Sequence, residues 1–261
     1  MLPLAHWPAS SRRHIHGVLT DIDDTLTTDG AITPEALQAL HALRAAGLPV
    51  IAVTGRPVGW SAPLARQWPI AAIVAENGAV ALLDGGTRRI YQQDAATRAA
   101  NYRRLQQVAQ RVLREVPGAR LAQDSAGRET DIAIDHGEHS RLAQPAIDAV
   151  LRILQAEGLQ ATVSSIHING WIGSHDKLGG ARWIVRELYG RDLDAELERW
   201  VYVGDSTNDE RMFTHFPHSV GVANIRLFVD RLRQLPRYVT QHERGAGFAE
   251  LAQALLDAHT P

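Results

Sequence analysis

The 261-residue chain is 45% apolar, carries a formal net charge of −2 and has no cysteine. That length supports one large domain or two modest ones. The balanced charge argues against a nucleic-acid-binding surface, a polybasic membrane anchor or an acidic tail, and the missing cysteines exclude a disulfide, a thiol nucleophile and a cysteine metal site.

"MLPLAHWPASSRRH" at the N-terminus lacks the apolar stretch of a signal peptide, and residues 1–13 read as a flexible tail. "HIHGVLT" reads as a buried strand. "AITPEALQALHALRAAG" follows as a helix, with Thr33 as N-cap, Pro34 at N1 and Gly47 closing it. "LPVIAVT" is the next strand, a helix starts near Pro57, and "IAAIVAE" is a third strand ended by the turn "NGA". Strands alternating with helices predict right-handed βαβ units on a doubly wound parallel sheet, an α/β fold.

The rhythm then changes. "LLDGGTRRIY" predicts a hairpin around Gly85 and Gly86, followed by a helix over roughly 95–115 and an alternating strand "ETDIAID". "RLAQPAIDAVLRILQAEG" is helical and "QATVSSIHI" is a strand. From Lys177 the first rhythm resumes: helix "KLGGARWIVRELYG", strand "RWVYVG", helix "DERMFTHF", strand "HSVGVA", helix "IRLFVDRLRQL", strand "RYVT" and helix "GFAELAQALLDA". The expected organisation is a catalytic core of residues 14–84 and 173–261, split by an inserted α+β cap over 85–172. No window reaches the ~18 uninterrupted apolar residues of a membrane span. A soluble cytoplasmic protein without a nucleic-acid or membrane partner is expected, and nothing in the sequence sets its oligomeric state.

Four short stretches carry chemistry. In "VLTDIDDTLTTDG", Asp21 and Asp23 lie on one side of a strand that ends there, where ligands bind in doubly wound sheets. Two carboxylates so placed repel each other unless a cation lies between them, and hard oxygen ligands suit Mg²⁺. An EF-hand is a poor fit, because positions six and twelve from Asp21 are Leu26 and Ile32. Simple turn-capping by Asp21, Asp23 and Asp24 is an equal competitor for this stretch alone. In "VYVGDSTNDERM", Asp205 follows a second buried strand, and Asn208 and Asp209 open the next helix. Alone this reads as an acidic N-cap cluster; with the first stretch it makes a two-strand Mg²⁺ site. In "VTGRP", Thr54, Gly55 and Arg56 can bind phosphate oxygens or simply form a turn, and Lys177 in "SHDKLGG" can neutralise a phosphate or stand solvated.

The ordered set Asp-x-Asp-x-Thr, Thr-Gly-Arg, Lys and Gly-Asp-x-x-Asn-Asp resembles the haloacid dehalogenase superfamily of aspartyl-phosphate phosphatases. The insert between the second and third motifs, with "AENGA" and "GVANI", resembles the subfamily of Cof-type sugar phosphatases, sucrose-phosphate phosphatases and mannosyl-3-phosphoglycerate phosphatases. The resemblance implies a phosphoric monoester hydrolase that forms an aspartyl-phosphate on Asp21, with Asp23 as general acid. It implies Mg²⁺ held by Asp21, the backbone carbonyl of Asp23 and Asp205, with Asp209 close by. Thr54 and Lys177, with Gly55, Arg56 and Asn208 near them, would hold the phosphoryl group. Leu178 departs from relatives in which Gly follows the lysine directly. The expected substrate is a small phosphorylated metabolite, most readily a sugar phosphate. Candidate cap readers are Arg128, Glu129, His167, Asn169 and Trp171; for Trp171, packing is the stronger competitor. His136 and His139 read as surface residues. A phosphotransferase or mutase on the same core, and a non-catalytic metabolite-binding regulator, are the competing functions.

Overall fold

A computed structural model describes residues 1–259. Nine strands form one sheet in the order Leu2–Pro3, Tyr238–Val239, Ser219–Gly221, Trp200–Gly204, Gly17–Thr20, Val50–Val53, Ala72–Ala75, Val80–Leu83 and Arg88–Tyr91. The first seven in this order run parallel, and the last two pair antiparallel. The central strands are apolar on both faces because both are covered. Alternate residues divide between the two faces: Val18, Ala52 and Val201 pack beneath helices Pro34–Ala45, Val58–Gln67 and Arg244–His259. Leu19, Ile51 and Tyr202 pack beneath Lys177–Tyr189 and Glu210–His215. The Thr33 hydroxyl accepts from the Ala36 amide as an N-cap. The expected α/β core is therefore present, with two apolar layers around one sheet.

Between Asp94 and Trp171 the chain builds a second unit. Helices Ala95–Glu115 and Gln144–Ala156 cover one face of an antiparallel sheet ordered Gln160–Val163, His167–Trp171, Asp131–Asp135, Arg120–Leu121. Ile132, Ile134 and Ile168 join Leu105, Val112 and Leu154 in its apolar core. The alternate positions, Asp131, Asp135, His167, Asn169 and Trp171, are also buried, and they occupy the opposite face of the pleat.

Four expectations need correction. The stretch "QATVSSIHI", read as one strand, divides into two antiparallel strands, Gln160–Val163 and His167–Trp171. The hairpin around Gly85 and Gly86 forms, but Arg88–Tyr91 pairs with Val80–Leu83 as the edge of the core sheet. The insert therefore starts near Asp94 rather than at 85; an isolated hairpin pattern does not reveal which sheet it extends. The stretch "IRLFVDRLRQL" forms consecutive 3₁₀ turns over Ala223–Arg231 rather than an α-helix, with Leu227 79% exposed. Residues 1–13 are not a loose tail. Leu2–Pro3 adds a strand beside Tyr238–Val239, the Leu2 amide donates to the Arg237 carbonyl at 2.8 Å, and Arg12 donates to the Ala254 carbonyl. Trp7 is 1% exposed and stacks on His218 and Tyr238, at centroid distances of 5.1 and 5.4 Å. Leu4 and Trp7, both in the apolar core, anchor the segment.

Trp7→Ala should consequently lower the unfolding free energy by about 3 kcal/mol, the cost typical of a large-to-small core substitution. Equilibrium urea denaturation measures it, and an unchanged midpoint would show that the segment contributes nothing.

Candidate active site

Strands Gly17–Thr20 and Trp200–Gly204 are parallel neighbours, with Thr20 opposite Val203. The residues that follow them, Asp21 and Asp205, therefore leave the sheet side by side, and the Asp21 amide donates to the Val203 carbonyl at 2.9 Å. The chain after Asp205 turns at once. Ser206 and Asp209 form a capping box in which the Asp209 Oδ2 accepts from the Asp205 and Ser206 amides at 3.0 and 3.2 Å. Gly204 permits this approach, since a Cβ there would lie 2.4 Å from that same oxygen.

Lys177 connects these groups. Its ammonium donates to Asp21 Oδ1 at 2.6 Å and to Asp209 Oδ1 at 2.7 Å, with the side chain 4% exposed. The departure at Leu178 leaves this geometry intact. Asp176 caps helix Lys177–Tyr189 by accepting from the Gly179 amide, so that Lys177 takes the first helical position and Leu178 turns into the core. Burial alone would depress the Lys177 ammonium, but Asp209 and Asp21 beside it raise its pKa above the usual value.

The site contains more negative charge than Lys177 can offset. Burial pushes Asp21 up to about 7 against the pull of Lys177, with Asp209 and Asp23 adding to the rise. Burial, then the charges of Asp21 and Asp209, raises Asp205 well above the carboxylate range. Asp205 Oδ2 accepts from Asn224 Nδ2 at 3.2 Å, whereas its buried Oδ1 has no hydrogen-bond partner. One oxygen each from Asp21, Asp205 and Asp209 lie within 4.8 Å of one another. An orphaned buried oxygen among hard carboxylate donors fits Mg²⁺. Asp209 serves this arrangement from behind, because both of its oxygens are already hydrogen-bonded, including one to the Tyr202 hydroxyl.

Thr54, Gly55 and Arg56 follow strand Val50–Val53, the other neighbour of the Asp21 strand. Thr54 is fully buried, and its hydroxyl accepts from the Arg56 amide at 3.0 Å. Arg56 was expected among the phosphate-binding groups; the structure commits it elsewhere. Its Nε contacts both Asp23 oxygens at 3.0 Å, and its Nη2 reaches Asp23 Oδ1 at 2.8 Å. The remaining donors go to Asp124 and Glu138 of the cap. The Asp23 side chain thus faces arginine rather than the carboxylate cluster. Asn208 lies near Lys177 on a cavity of about 380 Å³, with its Oδ1 accepting from the Ser206 hydroxyl.

The expected cap readers sit along the cap–core seam, already bonded. Arg128 donates to Asp124, Asp131 and the Gly55 carbonyl. Asn169 donates to Asp131 and the Gly55 carbonyl. Glu129 accepts from Arg89 and Tyr91. Trp171 donates to the His175 carbonyl, and His167 pairs with Glu138 at 2.9 Å. The buried Glu76 carboxylate, in a left-handed turn at φ 48°, accepts from the Val58, Glu129 and Thr130 amides and so ties cap to core. Sequence reading missed Glu76, Asp124, Glu138 and Asn224. "AENGA" and "GVANI" marked two of these places, but only as turns.

The fold and site define an α/β protein whose acidic strand tips hold a buried lysine between two carboxylates. A profile of haloacid dehalogenase-like hydrolases matches residues 18–111. Among curated proteins, the phosphoglycolate phosphatase of Pyrobaculum islandicum is 24% identical over 249 residues, covering 94% of this chain and 98% of the relative. Among solved structures, Thermoplasma acidophilum 0175 superposes with a TM-score of 0.70 at 18% identity, covering 92% of this chain and 98% of that one. The sucrose-phosphatase of Synechocystis sp. PCC6803, solved with sucrose and phosphate, gives 0.66 at 15% identity, with 93% and 98% covered. The chain is thus similar to the haloacid dehalogenase-like hydrolases over residues 18–111, and in fold to these solved structures over nearly its whole length.

The uncompensated carboxylates predict opposite effects of one substitution with and without metal. Asp205→Asn should raise the melting temperature of metal-free protein, by removing a buried like charge. It should also abolish the rise that Mg²⁺ gives the unsubstituted protein by binding the folded state. Thermal denaturation in chelator and in excess Mg²⁺ reads both effects, and a Mg²⁺ response retained by the variant would remove Asp205 from the metal site.

Proposed function

We propose that this chain is a Mg²⁺-dependent phosphomonoesterase that hydrolyses a small phosphorylated metabolite, a sugar phosphate by preference, through an aspartyl-phosphate on Asp21. The observation that carries the reading is the buried Asp21–Lys177–Asp209 arrangement beside an Asp205 oxygen with no partner. A structural ion pair would be expected to satisfy its carboxylates. A metabolite-binding regulator has no need of a buried nucleophile held against a lysine.

Asp21, Asp205 and the backbone carbonyl of Asp23 would hold Mg²⁺, with Asp209 supporting from behind. When bound, the ion offsets the carboxylate charge and stabilises charge on the phosphoryl oxygens. Asp21 attacks phosphorus in line: its oxygen–phosphorus bond forms as the bond to the leaving oxygen breaks, and that oxygen takes the Asp23 proton. Asp23 then accepts a proton from the water that attacks the acyl phosphate, which releases phosphate and restores both aspartates. Lys177 and the Thr54 hydroxyl orient the phosphoryl oxygens, and Asn208 assists at the rim. Arg56 fixes the orientation of Asp23 through a bidentate contact. The cap excludes water and contacts the leaving group. The polar cavities between cap and core suit a hydroxylated leaving group.

Asp21→Asn preserves size and removes the attacking charge. Turnover should fall at least ~10³-fold, the consequence of losing a covalent route worth several kcal/mol. Activity should also vanish in chelator, return with Mg²⁺ or Mn²⁺, and be inhibited by Ca²⁺, whose looser coordination shell misplaces the reactants. Phosphate release from a panel of metabolite esters is the measurement. Near-normal release by folded Asp21→Asn, or full activity in demonstrably metal-free protein, would overturn the mechanism.

A further inference from the structure

The cavity into which Asp23 opens has a volume of about 340 Å³. Because Asp23 donates the proton to the departing oxygen, this cavity receives the leaving group. Its lining includes the carboxylates of Asp23, Asp24, Asp29 and the cap residue Glu138. Two arginines line it as well: Arg56 is fully committed, and Arg244, more exposed, is already paired with two of these carboxylates. All three Arg56 nitrogens, which carry five N–H donors in total, bond to Asp23, Asp124 and Glu138, and the side chain is only 4% exposed. Arg244 pairs with Asp24 and Asp29. Glu138 stays ionised: although burial opposes the charge, His167 and Arg56 hold its pKa down to about 2.

We infer that Glu138 is a specificity-determining residue that makes the leaving-group cavity reject phosphomonoesters carrying a second anion on the leaving group and accept those with hydroxyl or ammonium groups. The inference rests on the phosphomonoesterase reading and deepens it. A carboxylate entering this cavity meets Asp24, Asp29 and Glu138 as like charges beside a protonated Asp23, and its natural partner, Arg56, has no free donor. To bind, it must displace Glu138 from Arg56 and strand that buried-facing carboxylate without its cation. A hydroxyl meets no such penalty, because it can donate to Asp24, Asp29 or Glu138 while the arginine network stays whole. The printed name of the Pyrobaculum relative points to an anionic leaving group, so the inference separates this chain from that relative at the level of substrate.

Three esters of one size test the idea: 2-hydroxyethyl phosphate, O-phosphoethanolamine and 2-phosphoglycolate, which differ in the charge at the far end. With Mg²⁺, the first two should exceed 2-phosphoglycolate in kcat/KM by at least about tenfold. Glu138→Gln, nearly the same size, should raise 2-phosphoglycolate about tenfold relative to the hydroxyl ester, the effect of roughly one uncompensated charge. The same order should appear in the dissociation constants of the three esters for Asp21→Asn, measured calorimetrically without turnover. A wild-type preference for 2-phosphoglycolate in either assay overturns the inference, and so does a Glu138→Gln protein with the wild-type ratio. If the wild-type protein hydrolyses none of the three nor an activated aryl phosphate, the phosphomonoesterase reading fails. The binding order on Asp21→Asn still decides the charge selectivity of the cavity.

Discussion

The site depends on the electrostatic cost of burying Asp21, Asp205 and Asp209 together at the tips of neighbouring strands. Carboxylates out of water lose hydration and repel one another more strongly than in solvent. Much of the local structure answers that cost. Lys177 supplies one positive charge shared between Asp21 and Asp209. Tyr202 and two amides of the tight turn saturate Asp209. Asn224 takes one oxygen of Asp205 and, through the Asp24 carbonyl, the turn beyond the nucleophile. The remaining Asp205 oxygen has no partner. This incomplete neutralisation sets the cluster apart from a fully satisfied structural ion pair.

The seam between cap and core follows a second electrostatic logic. Arg56 and Arg128 are almost fully buried: Arg56 pairs with Asp23 of the core and with Asp124 and Glu138 of the cap, and Arg128 pairs with Asp124 and Asp131 of the cap while donating to the Gly55 carbonyl of the core. Guanidinium groups suit this role because their planar donors bind several carboxylates at fixed angles. Removing any one partner leaves a buried charge exposed to its neighbours, so the network holds the cap in one register. Gly59 and Gly127 approach closely on the same seam, where an added Cβ at Gly59 would lie 2.7 Å from the Gly127 Cα. The network also couples Asp23 to cap position, since the arginine that orients Asp23 is the one that holds Glu138.

Much of this was legible in the sequence where a residue's role is set by its own strand. Asp21, Thr54 and Asp205 each stand directly after an apolar run, so period and punctuation locate them. Lys177 could be placed because helix spacing begins there. Residues whose role depends on a distant partner were not legible. Glu138 lies 82 positions from Arg56 and Asp124 lies 68, and nothing local distinguishes them from other loop acids. The carboxylate partners of Arg56 were equally hidden, because a glycine–arginine turn after a strand suits phosphate and carboxylate alike. Trp7 was overlooked because its stacking partners, His218 and Tyr238, lie more than two hundred residues away. The boundary of the insert was misplaced for a related reason: hydrogen bonding across a sheet, rather than any local pattern, assigns Arg88–Tyr91 to the core.

The pairing of Leu2–Pro3 with Tyr238–Val239 has a consequence for how the chain matures on the ribosome. Leu2–Pro3 is made more than two hundred residues before the strand it pairs with. Until Arg237 and Tyr238 clear the exit tunnel, the amide of Leu2 has no carbonyl to reach and Trp7 lacks one of its two stacking partners. The nascent protein must carry this segment unpaired while the residues between are made, and the cap, whose contacts are nearer in sequence, can assemble before it. Joining this edge therefore comes late in folding, and a chain halted before residue 237 would lack it even with Asp21 and Asp205 already side by side.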